Sequence, residues 1–158
     1  MHATSTNTAN PVEEPLEAVL HPIHKRWLEE ARRFLDPTLN PRTESWTRSA
    51  AGRYLHEEFL DRFRWELALV DELHPFLAAD MSERLRCEGA RLARLRLEVD
   101  RIGHRRRTAA QVTSATRDIL EQLALWCVEI EAAAGAIPRE ALTGEAAAFL
   151  VHPERIRP

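Results

Sequence analysis

The sequence predicts an all-α protein, an up-down-up-down antiparallel four-helix bundle with a short C-terminal fifth helix. Three observations carry this. Apolar residues recur at spacings of three and four along four long segments. Only 5 glycines occur in 158 residues, and the prolines gather between the periodic segments. The turn-bounded β-branched runs that strands need are lacking. With 44% hydrophobic and 30% charged residues, the composition suits a folded domain, and the length suffices to bury one core.

Residues 1–11 are rich in Thr, Ser and Asn and are expected to form a flexible tail. The bundle domain is assigned to 12–137, and a short helix and tail to 138–158. The first helix is expected over Leu16–Leu35, on a stripe of Leu16, Leu20, Ile23, Trp27, Ala31 and Phe34. Pro22 should kink its first turn or separate it. Asp36–Ser45 reads as a loop. The second helix is expected from Trp46 to Leu73, with a seam of His56, Phe59, Phe63, Glu66, Val70 and Leu73. His74-Pro75 ends it, because a residue before proline avoids the helical region.

Asp80 with Glu83 three residues on resembles a capping box and opens the third helix, which should stop at Gly103. Its seam is Met81, Leu85, Glu88, Leu92, Leu95, Val99 and Ile102. Thr108 and Gln111 open the fourth by the same logic. There the seam is Val112, Ala115, Ile119, Leu123, Trp126, Ile130 and Ala133, ending at Gly135. A fifth piece follows Pro138 and ends before Pro153.

Bundles place their chemistry on inward-facing side chains, so polar residues inside apolar seams are the candidates. They are His56, Glu66 and Glu88, with His24 beside the first stripe. One reading is a metal site, since carboxylates and imidazoles from separate helices suit iron or manganese. The other is that the carboxylates pair with arginines or reach water at seam ends. Neither Glu-x-x-His nor His-x-x-x-His occurs in the chain. His21 shares a face with His24 but, beside Pro22, reads as a surface or capping residue.

Net charge is −3, which gives no global basic bias and disfavours nucleic acid. Arginines nevertheless crowd Met81–Arg107, nine against four acids. A solvated face, ion-paired with the acidic first two helices, is the expected arrangement. The triplet Arg105, Arg106 and Arg107 in the following turn is the candidate contact for a protein partner or a second copy. Trp27, Trp46, Trp65 and Trp126 either pack the core or line a ligand pocket. Cys87 and Cys127 form no CxxC and read as two buried, reduced thiols. Met1–Asn10 has no apolar core of a signal peptide, and no stretch is long enough to span a bilayer, so a cytoplasmic location is expected. Nothing pairs a nucleophile with a base, cradles phosphate or has zinc spacing, so an enzyme is not supported.

The helices resemble those of the hemerythrin-like (HHE cation-binding) family over roughly residues 16–140. "LHPIHKRWLEEARRFL" is similar to the family's opening helix, with His24 at its first ligand histidine. "WELALVDELHP" keeps Leu73 and Pro75 but has Trp65 and Leu69 where a histidine and glutamate would fall. In "CEGARLARLRLEV", Glu88 is kept and Gly89 replaces a histidine, with Ala93 at a second histidine position. In "LWCVEIEAAAGAIP", Trp126 or Val128 takes a histidine position, and Glu129 or Glu131 answers to the carboxylates. The resemblance implies the bundle fold and, with most ligands gone, a lost di-iron centre. The expectation is a non-enzymatic binding or regulatory module without cofactor. The alternatives are a non-haem iron or dioxygen-binding protein with a rearranged site of His24, His56, Glu66 and Glu88, and a tryptophan-lined pocket.

Overall fold

Each long apolar stripe becomes a helix in the computed structural model, which describes residues 14–36, 49–104 and 109–151. In order these are α1 (Leu16–Leu35), α2 (Ala50–His56), α3 (Glu58–Leu73), α4 (Ala79–His104), α5 (Ala109–Ala134) and α6 (Glu145–Val151). Single 3₁₀ turns at His74–Phe76 and Arg139–Ala141 join α3 to α4 and α5 to α6. Among the described residues every regular element is helical, and the four long helices α1, α3, α4 and α5 pack together. None of these helices is long and apolar enough to cross a membrane. The tail at 1–11, most of the loop after Asp36, Trp46 and Arg105–Arg107 lie outside the described residues.

α1 is one continuous helix through Pro22, so the first turn is not a separate piece. Pro22 lies on the exposed face, as does Ala18, whose carbonyl loses its amide partner there and can turn to water. Leu16, Leu20, Trp27 and Ala31 are buried as the stripe predicts, whereas Ile23 and Phe34 are half-buried and Leu35 is buried beside them. The start of α1 is tied to the end of α5: Leu16 N–H donates to Ile137 O at 2.8 Å and Glu17 N–H to Gly135 O at 3.3 Å. Gly135, at φ +43°, supplies the left-handed turn that ends α5 and brings those carbonyls round.

The expected second helix is two helices. Ser49 caps α2, its hydroxyl accepting from Gly52 N–H at 3.0 Å, and the helix breaks at Glu57. Leu55, four residues before Phe59, takes the inward position and His56 the outward one, the cheaper arrangement for a leucine and an imidazole. Beyond it, Phe59, Phe63, Glu66, Val70 and Leu73 are buried as expected. Asp80 lies inside the first turn of α4 instead of capping it, and its Oδ1 accepts from Met81 N–H at 3.0 Å. Cys127 is buried, but Cys87 is exposed, because position 87 falls on the side of α4 opposite Leu85 and Leu92.

The core is aromatic at the α1–α2–α3 junction, where Trp27 lies 5.6 Å from Phe59 and Phe34 stacks on Tyr54 at 5.0 Å. α6 closes the side of α3. Phe149 packs on Trp65 at 3.8 Å, and the Glu72 carboxylate accepts from the amides of Gly144 and Ala146 at the start of α6.

Candidate functional site

Midway along the bundle, α1, α3 and α5 enclose one buried polar cluster. α1 contributes His24 because positions 20, 24, 27 and 31 share its inner face. α3 contributes Glu66, between Phe63 and Val70 on its seam, and α5 contributes Trp126 and Glu131. His24 is 1% exposed and Glu66 0%. His24 Nε2 lies 2.7 Å from Glu66 Oε1, and the Trp126 indole N–H donates to Glu66 Oε2 at 3.3 Å. On its other side, His24 Nδ1 is 3.4 Å from Glu131 Oε2, within ion-pair reach but without hydrogen-bond alignment. Glu131 Oε1 is 2.6 Å from Nδ1 of the exposed His21.

Burial alone would push His24 down, but the Glu66 and Glu131 carboxylates outweigh it and raise the imidazole from 6.5 to about 9. His24 is therefore an imidazolium at neutral pH, donating from Nε2 to Glu66 while its Nδ1–H lies within ion-pair reach of Glu131. Partial burial pushes Glu131 up, yet the two histidines hold it below its ordinary value. Burial beside Glu66 and Glu131 pushes the Cys127 thiol up and keeps it protonated. Arg62 adds a second positive charge near Glu66. Its guanidinium donates to Ile23 O at 3.4 Å and lies 5.3 Å from the Phe149 ring centre.

These shifts set the pH dependence of stability. His24 binds its proton more tightly in the folded state, so its contribution is whole below about pH 6.5 and is lost as pH rises through about 9. Glu131 has the opposite sign, contributing above the usual carboxylate range and losing that contribution as acid protonates it. Melting curves taken from about pH 6 to about pH 10 are expected to show Tm falling toward the alkaline end. In His24→Leu that fall should flatten. A wild-type Tm that stays level across this window would show that His24 carries no proton.

Of the four candidate ligands, the structure brings two together. His24 and Glu66 form the buried pair. Glu88 is half-buried and accepts from the Gln122 amide, while His56 sits on the surface, 2.7 Å from Asp100. Leu55 holds the inward position beside it, which leaves His56 outside the core. Glu131, only one of two carboxylates the sequence offered, belongs to the cluster, and His21, on the surface as expected, pairs with it from outside. The three-residue spacing of His21 and His24, opposite an acid on α5, is the signal that joins them.

A di-iron centre does not fit these residues. His24 Nε2 is committed to Glu66, and the Trp126 ring occupies the space a ligand at position 89 would need. A Cβ built on Gly89 would stand 3.1 and 3.2 Å from two atoms of that ring. Among the described residues, no group of three or more His, Cys, Asp or Glu side chains is placed to hold a metal ion. Trp27, Trp65 and Trp126 are at most 5% exposed and serve as core residues.

The arginine face also departs from expectation. Arg84 is 3.8 Å from Glu129 on α5, Arg86 is 3.9 Å from Glu83 on its own helix, and Arg96 donates to Leu55 O at 3.5 Å. Among the described residues, none of these pairs reaches an acid of α1, α2 or α3. Arg105, Arg106 and Arg107 lie outside the described residues. Comparison of the chain with protein-family models, curated proteins and solved structures returns no match.

Proposed function

We propose that this chain is a hemerythrin-like, up-down-up-down antiparallel bundle whose interior has exchanged metal ligation for packing. In this reading it acts as a non-enzymatic binding or regulatory module. The observation that carries the reading is the His24–Glu66–Trp126 constellation. Where the resemblance places a ligand histidine, His24 is held by a carboxylate, and an indole fills the space beside Gly89. The alternating direction is supported by contacts whose numbers fall along one helix as they rise along its neighbour. Between α1 and α2–α3 these run from Phe34 with Tyr54 to His24 with Glu66. Between α2–α3 and α4 they run from Leu55 with Arg96 to His74 with Ser82. α4 meets α5 from Arg84 with Glu129 to Glu88 with Gln122, and α1 meets α5 from Leu16 with Ile137 to His24 with Glu131. A reducing cytoplasm suits two unbridged thiols, one of them exposed.

Elemental analysis and visible absorption of purified protein test the reading. Iron well below one equivalent per chain, and no absorption above the aromatic band, are expected. Stoichiometric iron that disappears in Glu66→Ala and Glu88→Ala would overturn it and establish the rearranged metal site instead.

A further inference from the structure

α4 turns its inner side to the core and its outer side to solvent. Along that outer side, Arg86, Ala90, Arg94, Leu97 and Arg101 follow one another at spacings of four, four, three and four, and all are exposed. At 1.5 Å per residue the stripe is about 22 Å long. Leu97 stands in its middle, 57% exposed, with Arg94 one turn before it and Arg101 one turn after. Among the described residues neither of these arginines has an ion-pair partner, whereas Arg84 and Arg86 do. Other exposed apolar side chains occur, such as Phe76 and Val128, but among the described residues none of them is bracketed by unpaired arginines along one helix face.

We infer that this stripe is a docking surface for an acidic amphipathic helix of a partner protein, with Leu97 as the apolar contact and Arg94 and Arg101 as its charged flanks. The inference rests on the reading of the chain as a binding module and names its surface and partner class. Charge complementarity selects the occupant: among the described residues no carboxylate lies within ion-pair distance of either arginine, and a partner helix with acids one turn apart would supply them. Glu83 and Glu98 interrupt the cations on the exposed side of α4, so the surface suits discrete carboxylates set opposite Arg94 and Arg101 and not an unbroken phosphate backbone. No aromatic side chain lies on the stripe for bases to stack on. An exposed leucine between cations instead suits a protein helix, which can bury it while pairing the charges at its rim.

The probe is a fluorescein-labelled helical peptide carrying Glu at three- and four-residue spacing around a central Leu, titrated into the full-length chain and followed by anisotropy. Saturable binding that weakens as salt rises is expected. Arg94→Glu with Arg101→Glu should weaken it at least tenfold, and Leu97→Ser at least fivefold. Arg32→Glu with Arg117→Glu, an equal charge change on α1 and α5, should leave it within twofold. All four arginines are exposed, so circular dichroism and Tm should stay near wild type and the comparison remain readable. Absence of binding overturns the inference. So does equal binding of poly-Glu, equal competition by duplex DNA, or a homodimer of the chain that the same substitutions dissolve. Iron content of the same preparations separates the two claims. Iron-free protein that ignores the peptide refutes only the surface, whereas stoichiometric iron refutes the module reading whatever the peptide does.

Discussion

Glu66→Ala is expected to destabilise the protein by about 3–5 kcal/mol, because it leaves an imidazolium in the core with its main counter-charge gone. For a chain of this size that corresponds to a fall in Tm of roughly 10 °C. The effect exceeds that of a surface ion pair because both partners are out of water: His24 is 1% exposed and Glu66 0%. Two companions separate the causes. In Glu66→Ala the loss of stability between pH 6.5 and about 9 should shrink, since the attraction that raises His24 is removed. Replacing both partners, His24→Leu with Glu66→Leu, should recover most of the loss, because an apolar pair of similar volume avoids the desolvation of two charges. Urea titrations of wild type, His24→Leu, Glu66→Leu and the double variant read this directly. A double variant as unstable as the sum of the singles would show that the two residues do not act as a pair.

Trp126→Ala should cost a similar amount, about 3–5 kcal/mol, for a different reason. The indole is fully buried, lies 5.9 Å from the Phe63 ring centre and fills the space beside Gly89, so truncation leaves a void among α3, α4 and α5. It also removes the N–H that Glu66 Oε2 accepts. Trp126→Phe keeps most of the ring and loses that donor, and about 1–2 kcal/mol is expected. Gly89→Ala ties the indole to its neighbour. On the wild-type background the new methyl meets the ring at 3.1 Å, which offsets the gain of about 1 kcal/mol that alanine brings to a helix. On the Trp126→Ala background that gain should appear in full. Equal effects of Gly89→Ala on both backgrounds would show that the tryptophan does not press against position 89.

Both predictions concern residues whose type was visible beforehand and whose partners were not. Glu66 stands out in any reading of the third-to-fourth periodicity of α3, since a carboxylate among Phe63, Val70 and Leu73 must find a counter-charge. Which one it finds, His24 on α1 and not an arginine of α4, depends on how α1 and α3 are set against each other across the core. His56 shows the reverse. Its spacing from Phe59 suggests the seam, but Leu55 takes that place, His56 lies at the surface beside Asp100, and the helix also breaks at Glu57. No residue near 57 announces that break, because proline and glycine, the usual signals, are absent from Arg53–Leu60.

The amino-acid order alone settled the helical class, the stripes of α1, α4 and α5, and the presence of histidine and carboxylate groups on apolar faces. These follow from local periodicity, since side chains three and four apart share a face wherever the helix lies. Tertiary packing decided the rest. The pairing of His24 with Glu66, the capture of Glu131 by two imidazoles, and the seat of Trp126 over Gly89 join residues 37 to 110 positions apart. Such pairs meet only when separate helices adopt one mutual register, and no spacing within a single helix encodes that register.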